Sequence, residues 1–383
     1  MITEDLNMDF SRLEAYLKTL PFAFDLPGFD IAVRKDHEEI FRFQYGFMDA
    51  ERTKPIDNDS MQWIYSMSKV ITCVSALRLY ERGLLGLDDP VYKYLPEYKN
   101  ITVNKNGEIV KAENTMLVRH LFAMRSGMNY DLASPPLKKA RENKNATTRE
   151  LVAAMAENPL SFEPGTSYQY SLSHDVIAAI VEVVSGKTFH EYLKEEIFEP
   201  LGMYNIGFHP TDEQKERICA LYRFDPYRFR CTLAEQNCAY VLSDKYESGG
   251  AGLFCTNDDY MQVIDALANN GTAKNGYVLL KPETIELYRT NQQPDKDLHL
   301  LRPGYGYGLG VRTLISKNAE RGESLSPIGE FGWDGAANSY NMVDTKNKLA
   351  IVMTVNGLGF GRGSYEMHPH IRNLVYEAIG VTE

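Results

Sequence analysis

A serine and a lysine stand three residues apart at the start of a strongly apolar stretch. Ser66 and Lys69 open a segment that contains no glycine or proline before Gly83. Residues at positions i and i+3 share one helix face, so the serine hydroxyl and the lysine amine can approach each other. A lysine that is kept neutral by desolvation can take the proton of a serine. The pair therefore predicts nucleophilic catalysis at the first turn of a helix.

The alternative interpretation is a Ser-x-x-Lys pair on a solvated helix face, where this spacing is common. The residues that follow the pair argue against an exposed helix, because apolar side chains recur there at helical spacing. These residues are Val70, Cys73, Val74 and Leu77. A lysine where a helix enters the core must find a partner or lose its charge.

A second segment, residues 164–175, could serve this pair. It combines a Pro-Gly turn with an aromatic and polar loop that leads into an apolar helix. Tyr170 lies at the apex of the loop and could present its phenol to Ser66, although most tyrosines serve only in packing. We interpret His174 and Asp175, at the helix start, as capping residues rather than a catalytic dyad.

A third segment, residues 331–340, places glycines on both sides of Trp333 just before a predicted strand. Glycines let the backbone approach a ligand closely. A backbone N–H of this segment, together with that of Ser66, could form an oxyanion hole. The alternative is a tight turn in which Trp333 only fills space.

Charge and length limit the possible functions. The chain has 383 residues, enough for two subdomains around a large core. Its formal net charge is −11, and it has no basic run. We therefore expect neither nucleic acid nor a membrane as a partner.

The cysteines and the amino terminus bear on the compartment. Five cysteines form an odd number without metal-ligand spacing, which favours a reducing compartment over a disulfide framework. Residues 1–5 are acidic and lack the apolar core of a signal peptide, and no apolar run approaches membrane-spanning length. We expect a cytoplasmic protein that uses no metal and no cofactor.

The periodicity of the sequence predicts a mixed architecture. Helices are expected near 8–20, 117–125, 148–157, 174–185, 189–197 and 367–379, and strands at 29–33, 40–47, 305–314, 337–343 and 349–355. Strands at both ends of the chain around a helical middle predict one α+β domain (an α/β sandwich) over residues 1–383. Its antiparallel sheet would come from segments 8–65 and 300–383 with flanking helices, and residues 84–240 would form a mostly helical inserted subdomain.

These segments resemble the serine β-lactamase and penicillin-binding protein superfamily, most closely its family VIII carboxylesterase-like branch. Segments along nearly the whole chain look like framework signatures of that superfamily, at 45–49, 81–83, 87–96, 119–121, 126–128, 200–203 and 249–253. The resemblance implies a class C β-lactamase fold. It implies that Ser66 accepts the acyl group, with Lys69 as proton acceptor or electrostatic partner. Tyr170 would relay protons to the leaving group, and the amides of Ser66 and Ala336 would hold the oxyanion.

The second motif departs from the superfamily pattern. β-Lactamases and peptidases of the superfamily usually carry Tyr-x-Asn, whereas this chain has Ser171 and Leu172 after Tyr170. The asparagine amide that contacts substrate and lysine is therefore missing. Whether Lys69 or Tyr170 is the general base is left open by the sequence.

The third motif departs as well, because Trp333, Asp334 and Gly335 stand where Lys or His usually comes first. A hydrogen bond from such a cation is worth about 1.5–3 kcal/mol, and Asp334 is expected to repel a substrate carboxylate. We expect these three residues and Leu172 to contact substrate. The departures favour an esterase that acts on small uncharged or apolar esters.

Other functions stay open as alternatives. The same acyl-enzyme could serve a β-lactamase, a D-stereospecific peptidase or an acyltransferase, and a non-catalytic binding protein is a further possibility. An α/β-hydrolase is disfavoured because residues 165–169 miss the last glycine of Gly-x-Ser-x-Gly. His368 and His370 could serve a metal hydrolase, but the sequence shows no evident carboxylate partner for them.

The expected binding partner of the protein is a small-molecule ester or amide, and no oligomeric state is predicted.

Overall fold

The computed structural model describes residues 8–234, 238–317 and 324–381. The helices are α1 Ser11–Ala23, α2 Ser68–Glu81, α3 Val118–Phe122, α4 Pro135–Ala140, α5 Thr148–Met155, α6 Ser173–Ser185, α7 Phe189–Leu193, α8 Glu199–Leu201, α9 Asp212–Lys215, α10 Asn257–Ala268, α11 Pro282–Arg289 and α12 His368–Ala378. The strands are β1 Gly28–Lys35, β2 Glu38–Gly46, β3 Gln62–Trp63, β4 Thr102–Lys105, β5 Glu108–Lys111, β6 Ile206–Gly207, β7 Tyr222–Asp225, β8 Arg230–Leu233, β9 Phe254–Cys255, β10 Tyr305–Tyr307, β11 Arg312–Leu314, β12 Phe331–Gly332, β13 Tyr340–Asp344, β14 Leu349–Val355 and β15 Gly357–Leu358. Within these ranges no helix is long and apolar enough to cross a membrane.

The main sheet joins the two ends of the chain. Its seven strands run in the order β10-β11-β12-β13-β14-β1-β2, and neighbouring strands are antiparallel. Strand β1 pairs with β14 from Phe29 opposite Val355 to Lys35 opposite Leu349. The predicted α+β architecture, with an antiparallel sheet built from both terminal segments, is confirmed.

Helices cover both faces of this sheet. On one face, α1 and α12 pack against apolar side chains of β1 and β14, which include Ile31 and Ile351. On the other face, α10 contacts β14, and Ala32 and Val352 belong to the larger core around α2. All seven residues of β14 are buried, as expected for a strand between two helical layers.

Residues 305–314 do not form the single strand that the sequence predicts, and that prediction is wrong. The segment is a hairpin in which β10 and β11 pair with each other. Gly310 has φ +113° in the connection, a conformation that favours glycine. The sequence alternation continued across this turn, so the reversal was not evident from it.

The segment between α2 and β9 contains helices α3 to α9, the two hairpins β4–β5 and β7–β8, and the short strand β6. Helix α6 packs against α2, the helix that carries the candidate lysine. Residues 68 to 79 of α2 are all buried. The subdomain boundaries at residues 84 and 240 stay a prediction.

Candidate active site

The structure brings together the three side chains that the sequence predicted to do chemistry. Ser66 lies in a 3-10 turn, Tyr65–Met67, that leads directly into α2. Lys69 Nζ donates a hydrogen bond to Ser66 Oγ at 3.2 Å, and the Tyr170 hydroxyl donates to the same oxygen at 2.7 Å. Tyr65 has φ +47°, a strained value of the kind found at functional sites.

Lys69 is completely buried, and its amine is held by uncharged groups. It donates to the carbonyl oxygen of Gly250 at 2.6 Å and to the Tyr130 hydroxyl at 3.2 Å. Among the residues that the structure describes, no carboxylate oxygen lies within 4.0 Å of this amine. The contacts therefore aim the amine at Ser66 without an ion pair.

Tyr130 is a member of the site that sequence reasoning missed. Its ring stacks on Tyr170 with centroids 5.5 Å apart. Burial, and then the charges of Tyr170 and Asp175, raise the pKa of Tyr130 well above its usual value, so its phenol keeps its proton at neutral pH. Tyr130 gives Lys69 an oxygen partner, as the missing motif asparagine would. No sequence signal distinguishes it from the other 23 tyrosines.

The interpretation of His174 and Asp175 as capping residues is wrong. Both are buried in the first turn of α6, and no side-chain cap is present there. Asp175 Oδ1 accepts hydrogen bonds from Tyr246 at 2.7 Å and from Ser248 at 2.6 Å. This carboxylate therefore fixes the loop 246–250, whose Gly250 carbonyl holds Lys69.

Glu247, in the same loop, is expected to make the stability of the folded protein depend on pH. Its carboxylate accepts from the His190 backbone N–H at 2.6 Å, and burial raises its pKa from 4.5 to about 7. The folded state binds the proton of the Glu247 carboxyl more tightly than the unfolded chain does. The contribution of this proton to the free energy of unfolding is therefore complete below pH 4.5 and is lost as the pH rises through about 7.

Glu247→Gln keeps an acceptor oxygen but carries no charge. We expect it to raise the melting temperature by about 1–3 °C at pH 8 and to change it little at pH 5. Thermal unfolding at both pH values measures this, with the exposed Glu108→Gln as the matched control. An equal shift at the two pH values would contradict the assigned cause.

A cavity of about 630 Å³ opens onto the Ser66 hydroxyl. It is lined by Ser66, Tyr130, Tyr170, Tyr240, Arg302, Trp333, Asp334, Gly335, Ala336, Ser364 and Tyr365. A second cavity of about 750 Å³ lies beside it, and Tyr240 and Ala336 belong to the walls of both. Ala336 thus shares the cavity with Ser66, and the oxyanion role of their amides stays a prediction.

The third motif packs directly against the turn that carries Ser66. A Cβ atom on Gly335 would lie 2.4 Å from the carbonyl oxygen of Ile64, so only glycine fits at this approach. Trp333 donates its indole N–H to the Tyr170 hydroxyl at 3.2 Å and packs edge-on against Tyr307. Trp333 therefore both walls the cavity and orients the phenol of Tyr170.

Leu172 lies away from this cavity, contrary to its predicted contact with substrate. Its side chain is buried in the core and lines a separate small cavity with Met128 and Met155. It stands at the N-cap position of α6, where the chain turns inward after Tyr170. That turn removes Leu172 from the face that carries the phenol.

Asp334, which is expected to repel a substrate carboxylate, has cationic partners in the structure. Arg312 donates to its Oδ1 at 2.6 Å, Arg302 donates to its Oδ2 at 3.1 Å, and His368 Nδ1 lies 3.6 Å from Oδ2. Burial raises the pKa of Asp334, but the charges of Arg312, His368 and Arg302 outweigh it and hold the pKa well below its usual range. The carboxylate is thus ionised but neutralised by its partners.

The carboxylate of Asp334 lies beside His368, and the sequence did not reveal this neighbour. Its Nε2 lies 3.0 Å from the Asn338 carbonyl oxygen, so the ring ties α12 to the loop that follows Asp334. Over the described ranges, no group of three or more His, Cys, Asp or Glu side chains is arranged to hold a metal ion. The contacts of His368 are those of a structural residue.

The family follows from a comparison with known proteins. Residues 13–375 match the family model described as Beta-lactamase. The chain belongs to the β-lactamase family. The predicted membership of this superfamily is confirmed.

Curated relatives of this β-lactamase family protein include enzymes of ester chemistry. Esterase EstB of Burkholderia gladioli is 27% identical over 369 residues, which cover 90% of each chain. Lovastatin esterase of Penicillium rubens is 26% identical, covering 82% of this chain and 86% of the relative. Acyltransferase calJ of Penicillium decumbens is 28% identical, covering 81% and 79%.

Solved structures share the fold. The hydrolase EstCE1, described as having promiscuous acyltransferase activity, aligns with a TM-score of 0.79 at 23% identity over 95% of this chain and 97% of its own. A penicillin-binding protein homologue from Caulobacter crescentus aligns with a TM-score of 0.76 at 19% identity over 96% and 97%. At these identities the match establishes the fold, and it agrees with the predicted β-lactamase-type architecture.

Proposed function

We propose that this β-lactamase family protein is a serine hydrolase that acts on carboxylic esters through an acyl-Ser66 intermediate. The observation that carries the proposal is the convergence on Ser66 Oγ of the Tyr170 hydroxyl at 2.7 Å and the Lys69 amine at 3.2 Å. A hydroxyl held between two proton-transfer groups is the arrangement that nucleophilic catalysis requires. The esterases among the relatives support the same chemistry.

The first half of the reaction forms the acyl-enzyme. Ser66 Oγ attacks the ester carbonyl while its proton passes to Lys69 or Tyr170. The oxyanion of the tetrahedral intermediate is bound by the backbone N–H groups of Ser66 and Ala336. The bond to the alcohol oxygen then breaks, and the alcohol leaves with a proton from Tyr170.

The second half releases the acyl group. Water attacks the acyl carbon, the same groups accept its proton, and Ser66 regains its hydrogen as the acid departs. If an alcohol takes the place of water, the enzyme is an acyltransferase. Two adjoining cavities that share Tyr240 and Ala336 leave room for an acyl group and an acceptor, which favours this second candidate function.

The cavity also supports a substrate class. Aromatic side chains make up much of its wall, at Tyr130, Tyr170, Tyr240, Trp333 and Tyr365. Such rings favour small esters with an uncharged or apolar acyl group.

All five cysteines are free thiols, which supports our proposal of a cytoplasmic location.

A pair of chromogenic substrates tests the function against its nearest rival. We expect kcat/KM for p-nitrophenyl butyrate to exceed that for a chromogenic cephalosporin by at least about 100-fold, because the cation and amide that β-lactam recognition uses are absent from the motifs. Steady-state kinetics on the two substrates measures this ratio. The reverse order of the two substrates would overturn the esterase proposal in favour of a β-lactamase.

A further inference from the structure

We propose that Asn341 and Tyr260 are positioning residues for the acyl transfer at Ser66. They hold the third motif, residues 333–335, against the turn that carries the nucleophile, and they thereby fix the contact of the Tyr170 phenol with it. The inference rests on the proposed function and goes beyond it to two buried side chains. Neither is among the described residues that line the Ser66 cavity.

The Asn341 side chain is hydrogen-bonded to both backbone groups of Trp333. Its Nδ2 donates to the Trp333 carbonyl oxygen at 2.8 Å, and its Oδ1 accepts from the Trp333 backbone N–H at 3.4 Å. The opposite orientation of the amide would set oxygen against oxygen and N–H against N–H, so these contacts define which way it points. The side chain therefore fixes the first residue of the third motif on strand β13.

Tyr260, on helix α10, connects this amide to the turn of the nucleophile. Asn341 Nδ2 also donates to the Tyr260 hydroxyl at 3.1 Å, and that hydroxyl donates to the Met67 carbonyl oxygen at 2.9 Å. Burial raises the pKa of Tyr260 well above its usual value, so the phenol keeps the proton that it donates. Met67 directly follows Ser66, so the hydrogen bonds reach the backbone beside the nucleophile.

These contacts complete a hydrogen-bond network that meets Ser66 from two sides. On one side, Trp333 donates its indole N–H to the Tyr170 hydroxyl at 3.2 Å, and this hydroxyl donates to Ser66 Oγ at 2.7 Å. On the other side, the two positioning residues join the Met67 carbonyl to the same tryptophan. The network therefore fixes the indole, and with it the phenol, relative to the backbone of the nucleophile.

The local strand pairing explains why an amide is needed at this position. Strand β12 pairs with β13 through one residue pair, Phe331 opposite Val343, so the backbone ladder supports the third motif only weakly. Asn341 lies opposite Val352 in the sheet and is completely buried. A buried amide costs free energy unless its groups are paired, and an apolar side chain would avoid that cost. The paired amide supplies the contacts with Trp333 that the short strand lacks.

Tyr260→Phe tests the role, because it removes one hydroxyl and keeps the ring. We expect kcat on p-nitrophenyl butyrate to fall about tenfold with KM changed by less than about twofold, since a displaced proton-transfer group slows the chemistry without weakening substrate binding. Steady-state kinetics measures both constants. An unchanged kcat in Tyr260→Phe would overturn the inference.

Tyr288→Phe is the matched control. Tyr288 is also completely buried, and its hydroxyl donates to another backbone carbonyl of α2, that of Val70, at 3.4 Å. The control should lower the melting temperature by an amount similar to Tyr260→Phe and keep kcat within about twofold of the wild type. Equal losses of kcat in the two variants would assign the effect to stability and overturn the inference.

The Tyr170→Phe background separates positioning of the phenol from a general structural effect. If Tyr260 acts through that phenol, Tyr260→Phe should change the residual kcat of Tyr170→Phe by less than about twofold. A full tenfold loss in this background would contradict the assigned role.

Asn341→Leu, which is similar in size, tests the amide itself. It should lower kcat at least as far as Tyr260→Phe, and the double variant should be no slower than Asn341→Leu. Losses that multiply would show that the two residues do not act as one unit. Thermal unfolding establishes that each compared variant is folded, and the Tyr170→Phe test does not depend on the Asn341 substitution.

Labelling of Ser66 by a fluorophosphonate separates failure of this inference from failure of the proposed function, because it reports the reactivity of the hydroxyl without ester turnover. Tyr260→Phe should lower the second-order rate constant of labelling about tenfold, and Tyr288→Phe should leave it unchanged. Equal rate constants for Tyr260→Phe and the wild type would refute the inference. If the labelling rates differ as expected but the wild type cleaves no ester, the positioning role stands and the esterase proposal fails.

Discussion

Ser66→Ala is expected to lower kcat/KM on p-nitrophenyl butyrate by at least about 10³-fold, and Lys69→Ala by a comparable factor. The amine donates to the hydroxyl at 3.2 Å and to two other oxygens that hold it in place, so the two side chains act as one unit. The double variant should therefore be no slower than the slower single variant. Steady-state kinetics on the four proteins measures this.

Ser68→Ala is the matched control for these variants. Its hydroxyl accepts a hydrogen bond from the Leu253 backbone N–H at 3.1 Å and belongs to the packing of α2. It should keep most of the activity, and a fluorophosphonate adduct detected by mass spectrometry should map to Ser66 in both wild type and Ser68→Ala. Losses that multiply in the Ser66 and Lys69 double variant, or an adduct on another residue, would contradict the assignment.

Tyr170→Phe is expected to lower kcat by about 10²–10⁴-fold, the usual range for loss of a proton-transfer group. The phenol is the group closest to Ser66 Oγ, at 2.7 Å, and Trp333 orients it through a hydrogen bond of 3.2 Å. The ring itself packs in place, so Phe should preserve folding. Pre-steady-state and steady-state kinetics with a thermal unfolding curve would measure both effects.

Tyr130→Phe provides the comparison within the same pair of stacked rings. The substitution removes one hydrogen-bond partner of Lys69. It removes no proton-transfer group, because burial holds the pKa of Tyr130 well above its usual value. We expect a loss of only about tenfold, the equivalent of one hydrogen bond. Tyr130→Phe as damaging as Tyr170→Phe would reassign the proton relay, and near wild-type kcat in Tyr170→Phe would exclude Tyr170 from the mechanism.

The part of the site that local sequence could predict is the part that lies on one turn. Ser66 and Lys69 are three residues apart at a buried helix start, and that spacing alone brings them together. Tyr170 required the additional resemblance to a family, since its loop comes from 104 residues further along the chain. The predicted strands at 29–33 and 40–47 and the sheet built from both chain ends followed from apolar alternation in the same local way.

The missed features depend on contacts that no local pattern records. Tyr130 reaches Lys69 across 61 residues of sequence, and Arg302 reaches Asp334 across 32. The sign of the charge at Asp334 was evident from its residue type, but its neutralisation by two arginines was not. The expected repulsion of carboxylates took account of the residue type alone and not of these two ion pairs.

The pairing of β1 with β14 sets the order in which the protein can mature during synthesis. The strand β1 has only its hairpin partner β2 until β14, Leu349–Val355, has left the ribosome. Nascent chains halted before Leu349 should therefore present an open sheet edge and aggregate or recruit chaperones. Completion of the sheet that supports the nucleophile is thus a late step, because it depends on contacts between residues far apart in the sequence.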